Sequence, residues 1–427
     1  MTRIGILLTT FCVAVLILIP VSSMATTLSV PQTPWPVCSS TVVAFCVESV
    51  SIQSPGQAVE TLTWVPSGSA APTPTMPAPT STTTSESDTA FPGYWTDAQW
   101  SANGHGDLGF GGLFVNAGAA NEFSNYMLFN VLPAIQDPTS NDVFMAAQTG
   151  TDYQASLSAA DVITVSLETG AAAPGVSMAI GNNFSDTVGT DANGSTLSFS
   201  ATPVPVAIAS DTSACVDETG VAAAQATELQ VIVAPTNDPS SGFGVDGLTG
   251  RMYVESNGAC VLSTPVWDAS SSTMEWTVAA PHFLSDGASL DEGFYQAMIP
   301  GADAALLWGL TNVNQAVSAL VVSETTSGGA AASVAVSSIS VKGGNIIISS
   351  TGFDFSSPTF HLKKNPKYKV KTTISCVRLK SVKRITGVLP KCPHGFKLRT
   401  TITCMRGATL KKVTGVAPRC PAGYRKK

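Results

Sequence analysis

The chain has 427 residues, 12% of them charged, and a formal net charge of −7 at pH 7. That value conceals two regions of opposite sign, because residues 363–427 contain 19 of the 22 Lys and Arg residues and none of the 29 Asp and Glu residues. Residues 26–362 carry 29 acids and two bases, a net charge of −27. This separation of charge excludes a protein that is acidic along its whole length. After residue 25 no segment approaches 18 consecutive apolar residues, which excludes a multi-span helical membrane protein.

The N-terminus is organised like a secretory signal peptide. Arg3 supplies a positive charge, residues 4–21 are apolar, and Ser23-Met24-Ala25 places small residues before a cleavage position after Ala25. We therefore predict that residues 1–25 are removed on export. The mature chain is expected to be secreted, extracellular or cell-wall associated, without a transmembrane span. An uncleaved membrane anchor is the alternative, because the apolar run is long for a signal peptide.

Cysteine usage agrees with export. Cys12 lies in the leader, so eight of the nine cysteines remain in the mature chain, and an even number suits an oxidising compartment. Pairing of sequence neighbours predicts four disulfides: Cys38–Cys46, Cys215–Cys260, Cys376–Cys392 and Cys404–Cys420. Bridged cysteines also leave no free thiol to act as a nucleophile.

The N-terminal part of the mature chain, residues 26–65, is predicted to form a clasp and a hairpin. β-Prone runs at 44–53 and 58–65 are separated by Ser54-Pro55-Gly56-Gln57, which has the composition of a turn. Residues 66–90 follow as a linker, since Pro, Ser and Thr dominate there and cannot bury a core.

The rest of the body is predicted to be mainly β. Short β-prone runs recur between turn signals at 196–200, 204–209, 228–234, 251–255, 274–279, 294–299, 319–324, 333–341, 345–350 and 359–363. Helical patterns are limited to 302–310 and 122–132. Many short strands favour one or two antiparallel β-sandwich domains. We expect a first β-rich region at 91–220 and a second β-sandwich region at 221–362, with a boundary between residues 210 and 228.

Three local patterns in the body predict turns or core positions. Lys342-Gly343-Gly344-Asn345 lies between two alternating runs and predicts a β-hairpin. The stretch 191–195 begins like a calcium loop but lacks the later bidentate acid, so a turn is favoured. Trp276 alternates with apolar neighbours, which indicates a core position rather than a sugar-stacking platform.

Signals for catalysis are weak. No GxSxG, HExxH or P-loop motif occurs, and the glycine-rich stretch 104–112 lacks the strand and helix of a phosphate-binding loop, so it is interpreted as a turn. His282 lies near Asp286 and Asp291, a combination suited to acid–base chemistry or a metal. A loop histidine beside solvated acids is the favoured interpretation. No cofactor or metal site is predicted, and an enzyme is less favoured than a non-enzymatic protein.

The segment 291–297, Asp-Glu-Gly-Phe-Tyr-Gln-Ala, resembles the tyrosine-corner stretch of immunoglobulin-like domains, with Ala297 where antibodies have a cysteine. The resemblance covers seven residues and implies a sandwich fold, but it implies no activity.

The basic tail, residues 363–427, is a tandem repeat with units at 371–398 and 399–426. Thr372-Thr373-Ile374-Ser375-Cys376 returns 28 residues later as Thr400-Thr401-Ile402-Thr403-Cys404, and the register continues to the second cysteine of each unit. β-Branched runs between the cysteines predict small hairpins. A unit this short buries little, so we expect each hairpin to be pinned by its disulfide, which is worth about 3 kcal/mol for a loop of roughly 15 residues.

The cations of the tail have no acidic partner within it, so they must face solvent or an external anion. The predicted polyanion-binding residues are Lys371, Arg378, Lys383, Arg384, Lys391, Arg399, Arg406, Lys411, Lys412 and Arg419. A merely solubilising tail is the alternative. Nucleic acid is a less favoured ligand than a phosphate- or carboxylate-bearing wall polymer, because base stacking requires aromatic side chains and the repeats offer only Phe396 and Tyr424.

The repeats, with Ile402-Thr403-Cys404 followed by Lys411-Lys412-Val413-Thr414-Gly415-Val416, resemble C-terminal modules of secreted proteins from high-GC Gram-positive bacteria. The first copy departs from the pattern at Leu379, where the second has Gly407. The stretches 46–50, 267–270 and 281–283 are similar to the same group. No activity is assigned to that group, so the resemblance implies export and a bacterial surface setting only.

These observations lead to four hypotheses. The first is an exported, non-enzymatic surface protein whose tail adheres to anionic envelope polymer and whose β-sandwich body is displayed. The second is a secreted hydrolase, for example of polysaccharide, held by the same tail. The third is an extracellular nucleic-acid-binding protein, and in the fourth the tail docks on its own acidic body. The sequence does not indicate an oligomeric state.

Overall fold

The computed structural model describes the residues 30–31, 34–70, 90–98, 100, 111–121, 124–137, 139–148, 157–209, 212–215, 219–235, 243–244, 248, 251–263, 265–310, 312–325, 331–332, 336–355, 359–368, 371–379, 381–388, 390–407 and 409–426. The leader, most of the predicted linker and residues 101–110 of the glycine-rich stretch lie outside these residues.

The first sandwich is built from thirteen described strands. They are β1 (Cys46–Gln53), β2 (Glu60–Thr61), β3 (Thr63–Pro66), β4 (Gly93–Thr96), β5 (Gly111–Asn121), β6 (Ser124–Gln136), β7 (Val143–Met145), β8 (Val162–Gly170), β9 (Pro174–Ile180), β10 (Asn182–Thr190), β11 (Ser195–Thr202), β12 (Val204–Ile208) and β13 (Ala224–Pro235). One sheet has the order β10-β11-β8-β1-β2. The other has the order β12-β13-β6-β5-β4-β3, with β7 on β6 and β9 on β13. Phe129 and Phe199 meet in the core between the two sheets.

The second sandwich contains eleven described strands. They are β14 (Phe243–Gly244), β15 (Arg251–Ser256), β16 (Val261–Leu262), β17 (Val266–Asp268), β18 (Thr273–Ala279), β19 (Glu292–Pro300), β20 (Leu320–Thr325), β21 (Ala331–Ala332), β22 (Val336–Lys342), β23 (Asn345–Asp354) and β24 (Thr359–Lys364). Its sheets have the orders β14-β15-β19-β23-β22 and β16-β18-β24-β20-β21, with β17 on β18. Period-2 alternation explains the packing, because Met274, Trp276 and Val278 of β18 are buried while Glu275 and Thr277 lie on the other face.

Helices are few, and one helical prediction is wrong. The expected helix at 302–310 is confirmed as α1 (Gly301–Trp308), which ends at Gly309 with a left-handed φ of 63°. A second short helix, α2 (Ala316–Ala319), was not predicted, and 3₁₀ turns occupy Thr212–Cys215 and Val313–Gln315. The segment 122–132, expected to be helical, instead belongs largely to β6. That strand lies inside a sheet with apolar side chains on both faces, so its alternation is hidden.

The mainly β fold and the local turn predictions are confirmed. Lys342 pairs with Asn345 at the β22–β23 hairpin, where Gly343 and Gly344 have φ of 58° and 80°. In the stretch 191–195, Asp191 Oδ1 accepts hydrogen bonds from the backbone N–H groups of Asn193 and Gly194, at 2.7 and 3.0 Å, which makes the turn into β11.

The two sandwiches pack against each other. Met178 and Ile232 of the first contact Tyr253 and Met298 of the second, in an apolar cluster that we call the joint. Polar contacts cross the same boundary: Ala179 N–H donates to Gln296 Oε1 at 3.4 Å, and Lys342 pairs with Asp186 at 2.8 Å.

A domain boundary was expected between residues 210 and 228. The strand that follows this stretch, β13, pairs with β6 and β9 of the first sandwich. The connection to β14 and the second sandwich comes only after residue 235.

The tail forms its own sheet from β25 (Lys371–Arg378), β26 (Ser381–Val388), β27 (Lys397–Arg406), β28 (Thr409–Gly415) and β29 (Arg425–Lys426). Each repeat is a hairpin, β25–β26 or β27–β28, followed by a strand that returns to the first strand of that hairpin. The return strand of the first repeat is the beginning of β27. The two repeats therefore share one strand and form a single sheet.

All four predicted disulfides are present. Cys376–Cys392 and Cys404–Cys420 each have a Cα–Cα distance of 5.6 Å, as expected for duplicated units. Cys38–Cys46 closes the N-terminal clasp, with a Cα–Cα distance of 5.0 Å. The fourth bridge, Cys215–Cys260, has a Cα–Cα distance of 6.3 Å and links the 3₁₀ turn after β12 to the second sandwich.

The tyrosine-corner resemblance can be checked at Tyr295. Tyr295 stacks on Trp276 in the second core, at a ring distance of 5.0 Å, and its hydroxyl has no hydrogen-bond partner in the part of the chain described. The hydrogen bond that defines a tyrosine corner is thus not made at this residue.

Among the described helices, neither is long and apolar enough to cross a membrane.

Candidate functional site

The shared sheet of the tail sorts its cations onto two faces. Cross-strand partners point to the same side of a sheet, and residues two apart along a strand share a face. Ser375 pairs with Arg384 on one side and with Arg399 on the other, so these three residues share a face that we call the open face. Cys376 pairs with Lys383 on the opposite face, which we call the cystine face because both disulfides lie there.

Register assigns the described cations of the strands as follows. The open face carries Arg384, Lys397, Arg399, Lys412 and Arg425, and the cystine face carries Arg378, Lys383, Arg406, Lys411 and Lys426. Lys391 and Arg419 lie in the loops that lead to the second cysteine of each unit. The side chain of Lys371 lies outside the described residues.

Cations on the cystine face pack against their own repeats. The Lys383 ammonium lies 5.2 Å from the centre of the Phe396 ring, a cation–π contact. The Arg378 side chain passes over Gly395, where an added β-carbon would sit 3.7 Å from the guanidinium carbon. Arg406 passes over Gly423 in the same way, so the contact is duplicated along with the sequence.

The open face alternates cations with hydroxyls. Arg399, Thr401 and Thr403 follow one another on the same side of β27, and the Thr401 hydroxyl lies 2.7 Å from that of Thr414 on β28. Lys412 is the cross-strand partner of Thr403. Cationic and hydroxyl donors are therefore interleaved on one face of the sheet.

Every described Lys and Arg side chain of the tail is exposed. Considering only the residues that the structure describes, none of these cations between residues 371 and 426 lies within 4.0 Å of a carboxylate oxygen. The unneutralised charge that the sequence predicted is thus displayed on folded strands, and the field it produces attracts anions.

The candidate acid–base residues of the body do not form a hydrogen-bonded cluster. Asp286 is partly exposed, and its carboxylate accepts hydrogen bonds from the backbone N–H groups of Ala288 and Ser289 and from the Ser289 hydroxyl. These bonds lower the pKa of Asp286. Asp291 donates its backbone N–H to the carbonyl oxygen of His282 at 3.0 Å. Judged on the described chain, however, neither His282 Nδ1 nor either carboxyl oxygen of Asp291 has a hydrogen-bond partner.

Asp291 instead contributes to a cleft between the two sandwiches. The cleft measures about 260 Å³, and its lining includes Asn182 and Val204 from the first sandwich with Asn257, Asp291 and Phe294 from the second. Only 1% of Asp291 is exposed, and burial raises its pKa from 3.8 to about 8. A neutral carboxyl group is therefore favoured at this position near neutral pH.

A second buried carboxyl lies nearer the joint. Glu255 is two residues from Tyr253 on β15 and is fully buried, and the backbone of Ile180 in the first sandwich lies close enough to its carboxyl group to oppose part of the effect of burial on its pKa. Burial raises the pKa of Glu255 well above its usual value. The interface between the sandwiches consequently contains acids whose protonated form is favoured by burial.

A set of residues that the sequence did not reveal lies on the outer face of the second sandwich. Glu275 on β18, His361 on β24 and Thr325 on β20 are neighbours across three strands. His361 Nδ1 is 3.0 Å from Glu275 Oε1, and His361 Nε2 is 2.9 Å from the Thr325 hydroxyl. We call this hydrogen-bonded chain the relay. Only the pairing of β24 with β18 and β20 brings the three side chains together.

The relay has the connectivity of a nucleophile, a base and an orienting carboxylate. Cross-strand polar pairs of this kind also stabilise sheets without any reactivity.

Comparison of the chain with protein-family models, with curated protein sequences and with solved structures found no match.

Proposed function

We propose that this protein is an exported, non-enzymatic surface protein that adheres to anionic cell-envelope polymer through its tail and displays its acidic body. The observation that carries the proposal is the duplicated sheet whose exposed cations have no carboxylate within 4.0 Å in the described chain. Such charge is unfavourable to gather on one small sheet unless a counter-charge is supplied from outside.

The alternative that the tail serves its own body finds less support. Docking on the body would place tail cations beside the acids of residues 26–362. The Lys342–Asp186 ion pair and the His361–Glu275 hydrogen bond, the contacts of this kind found among described residues, both lie within the body. Mixing a chain that ends at Tyr368, so that β24 stays intact, with an equimolar separate segment 369–427 tests this alternative: association weaker than that with wall polymer supports adhesion to the envelope.

Salt dependence is the direct test of adhesion. The full mature chain is incubated with purified cell walls over a series of NaCl concentrations, and bound protein is measured. Binding that weakens steeply as salt rises supports the proposal, because exposed charges are screened beyond a Debye length of about 10 Å at 0.1 M salt. Absent or salt-independent binding contradicts it. Competition by DNA against wall polymer separates adhesion from the nucleic-acid hypothesis.

The relay favours a second candidate function, that of a secreted hydrolase held at the envelope by the same tail. In this hypothesis the Thr325 hydroxyl attacks an ester carbonyl while its proton passes to His361 Nε2, and Glu275 stabilises the resulting imidazolium. The alcohol leaves with that proton, and water then hydrolyses the acyl-threonine.

The hydrolase hypothesis is tested with activated aryl esters and with a fluorophosphonate that reacts with nucleophilic hydroxyls. Labelling of Thr325, lost in Thr325→Val and His361→Gln but retained in Thr277→Val, supports a reactive relay. Thr277 is a suitable control because it lies on the same outer face without contacting the histidine. No labelling above that of the Thr325→Val protein leaves the relay as a stabilising cross-strand chain.

A further inference from the structure

We propose that the polyanion lies along the open face of the tail sheet, and that it is a phosphodiester chain without bases, such as a poly(alditol phosphate). This inference rests on the adhesive function proposed above and identifies its surface and ligand class.

Strand spacing places the cations of the open face at regular intervals. Arg384 and Arg399 flank Ser375 on neighbouring strands, so their Cα atoms are about 10 Å apart, twice the usual strand spacing. Four residues beyond Arg399 along β27, Thr403 pairs with Lys412. An extended chain that crosses the sheet obliquely from Arg384 towards Lys412 meets these cations in succession.

The 28-residue repeat preserves this pattern. Arg384 of the first unit corresponds to Lys412 of the second, Ser375 corresponds to Thr403, and Thr386 corresponds to Thr414. Each unit thus supplies a cation with hydroxyl-bearing residues nearby on the same face. A polymer with repeating anionic groups matches a repeated binding surface, whereas a single compact anion has no use for the second copy.

The cystine face is less suited to a continuous chain. The segments that carry Cys392 and Cys420 cross the cystine face, and the Lys383 ammonium already contacts the ring of Phe396. Its arginines pack over Gly395 and Gly423. On the cystine face, Arg378, Lys383 and Arg406 are therefore already engaged in contacts within their own repeats.

The chemistry of the open face favours phosphate over carboxylate. A single arginine fork can satisfy both oxygens of a carboxylate in one plane. The two non-bridging oxygens of a phosphodiester are set on a tetrahedral phosphorus and accept from donors in several directions, so an arginine and a neighbouring hydroxyl, as at Arg399 and Thr401, bind one group together. Exposed Val382 and Leu410, equivalent positions in the two repeats, offer apolar contacts to the carbons between phosphates.

The placement of the aromatic side chains disfavours a nucleic acid. Phe396 lies on the cystine face beside Lys383. In the described strands of the tail, no aromatic residue is assigned to the open face by register, so bases have no ring there on which to stack.

Two triple variants of the full mature chain test the assignment. The open-face variant carries Arg384→Gln, Arg399→Gln and Lys412→Gln. The cystine-face variant carries Arg378→Gln, Arg406→Gln and Lys411→Gln. Both remove two arginines and one lysine, so the loss of charge and of residue types is matched. Binding to immobilised poly(glycerol phosphate), polygalacturonate and single-stranded DNA is measured at low salt, and melting curves confirm that the variants fold.

The open-face variant is expected to lose roughly 10-fold to 100-fold in affinity for poly(glycerol phosphate), as three exposed charge contacts would give, while the cystine-face variant loses less than about 3-fold. Equal losses overturn the choice of face but leave adhesion by the tail standing. Unchanged binding of both variants overturns the face and the adhesive function together. Tighter binding of the parent chain to polygalacturonate or DNA than to poly(glycerol phosphate) overturns the ligand class.

A structural role for the same cations is also tested. Charged residues on edge strands such as β26 and β28 protect sheets from edge-to-edge association. If protection is their main role, the open-face variant self-associates in size-exclusion chromatography while its monomer binds as tightly as the parent, and the proposal is rejected.

Discussion

In the body, large side chains such as Trp276, Tyr295 and Phe360 stack inside a sandwich, and a second core of similar kind lies next to it. In the described tail, the only buried side chains are those of Cys376 and Cys404. The body therefore depends on burial of apolar surface, whereas the tail depends on disulfides that tie one strand of each hairpin to a following loop, while most of its side chains stay exposed to solvent. This difference allows the tail to expose nearly all its charge without losing its fold.

The largest effect on the body is expected from truncating its core. Trp276 is 2% exposed and stacks on Tyr295 and Phe360, at ring distances of 5.0 and 5.7 Å. Trp276→Ala should lower the free energy of unfolding of the body by about 3–5 kcal/mol, as cavity formation does in other cores. Chemical denaturation measures this change, with the exposed Val266→Ala as the control. Equal destabilisation by the two substitutions would contradict a burial-dependent body.

Removing one cystine should destabilise the tail without affecting the body. Replacing Cys376 and Cys392 by Ser should cost about 3 kcal/mol, because the loop that they close spans 16 residues in sequence. We expect faster proteolysis within residues 371–398 and weaker binding to wall polymer. The main melting transition should remain unchanged. A shift of that transition by several degrees would show that the tail and the body fold as one unit.

The same contrast explains which features could be predicted from the sequence. Everything in the tail is local: paired cysteines, hairpin turns and the 28-residue period are short-range patterns, and the structure confirms the hairpins and both bridges. Its two faces follow from register, which the turn determines. In the body, local features were predictable: the turn at Gly343-Gly344, single strands, the helix at 302–310 and the two disulfides.

Features of the body that depend on distant pairing were missed. β6 was mistaken for a helix because its neighbours β5 and β13 and the layers on both faces bury both of its sides. The relay joins residues 275, 325 and 361, and its members lie side by side only after β24 pairs with two strands far away in sequence. The burial of Glu255 and Asp291 was also missed, since nothing in the local sequence of either residue distinguishes it from an ordinary charged residue at the surface.

Those buried acids should make the stability of the body depend on pH, unlike that of the tail. Asp291 has a pKa of about 8 in the folded chain and 3.8 as its reference value. Between these two values the unfolded chain has released the proton and the folded chain has kept it. Stability should therefore fall as pH rises from about 4 to about 8, with a slope of up to about 1.4 kcal/mol per pH unit for this group.

Asp291→Asn should flatten this dependence, as measured by denaturation at several pH values. Asp286→Asn is the matched control from the same loop. Hydrogen bonds lower the pKa of Asp286, so its contribution has the opposite sign: it is present above the unfolded pKa and is lost as pH falls. If the free energy of unfolding has the same slope against pH in Asp291→Asn and in the parent, the carboxyl group is ionised in the folded state. The cleft would then be more accessible to water than the structure indicates.

A smaller effect is expected at the single described ion pair between the sandwiches. Lys342 is one of two bases between residues 26 and 362, and its ammonium lies 2.8 Å from Asp186, which also accepts a hydrogen bond from Ser177 at 2.9 Å. The lysine side chain is 49% exposed, so solvent screens the pair. A double-mutant cycle with Lys342→Gln and Asp186→Asn should give a coupling energy of about 0.2–1 kcal/mol that decreases with added salt. A coupling of zero at low salt would mean that the apolar cluster, Gln296 and the Cys215–Cys260 disulfide hold the sandwiches together without help from charge. The joint would then resemble the cores on either side of it, and electrostatic recognition would be confined to the tail.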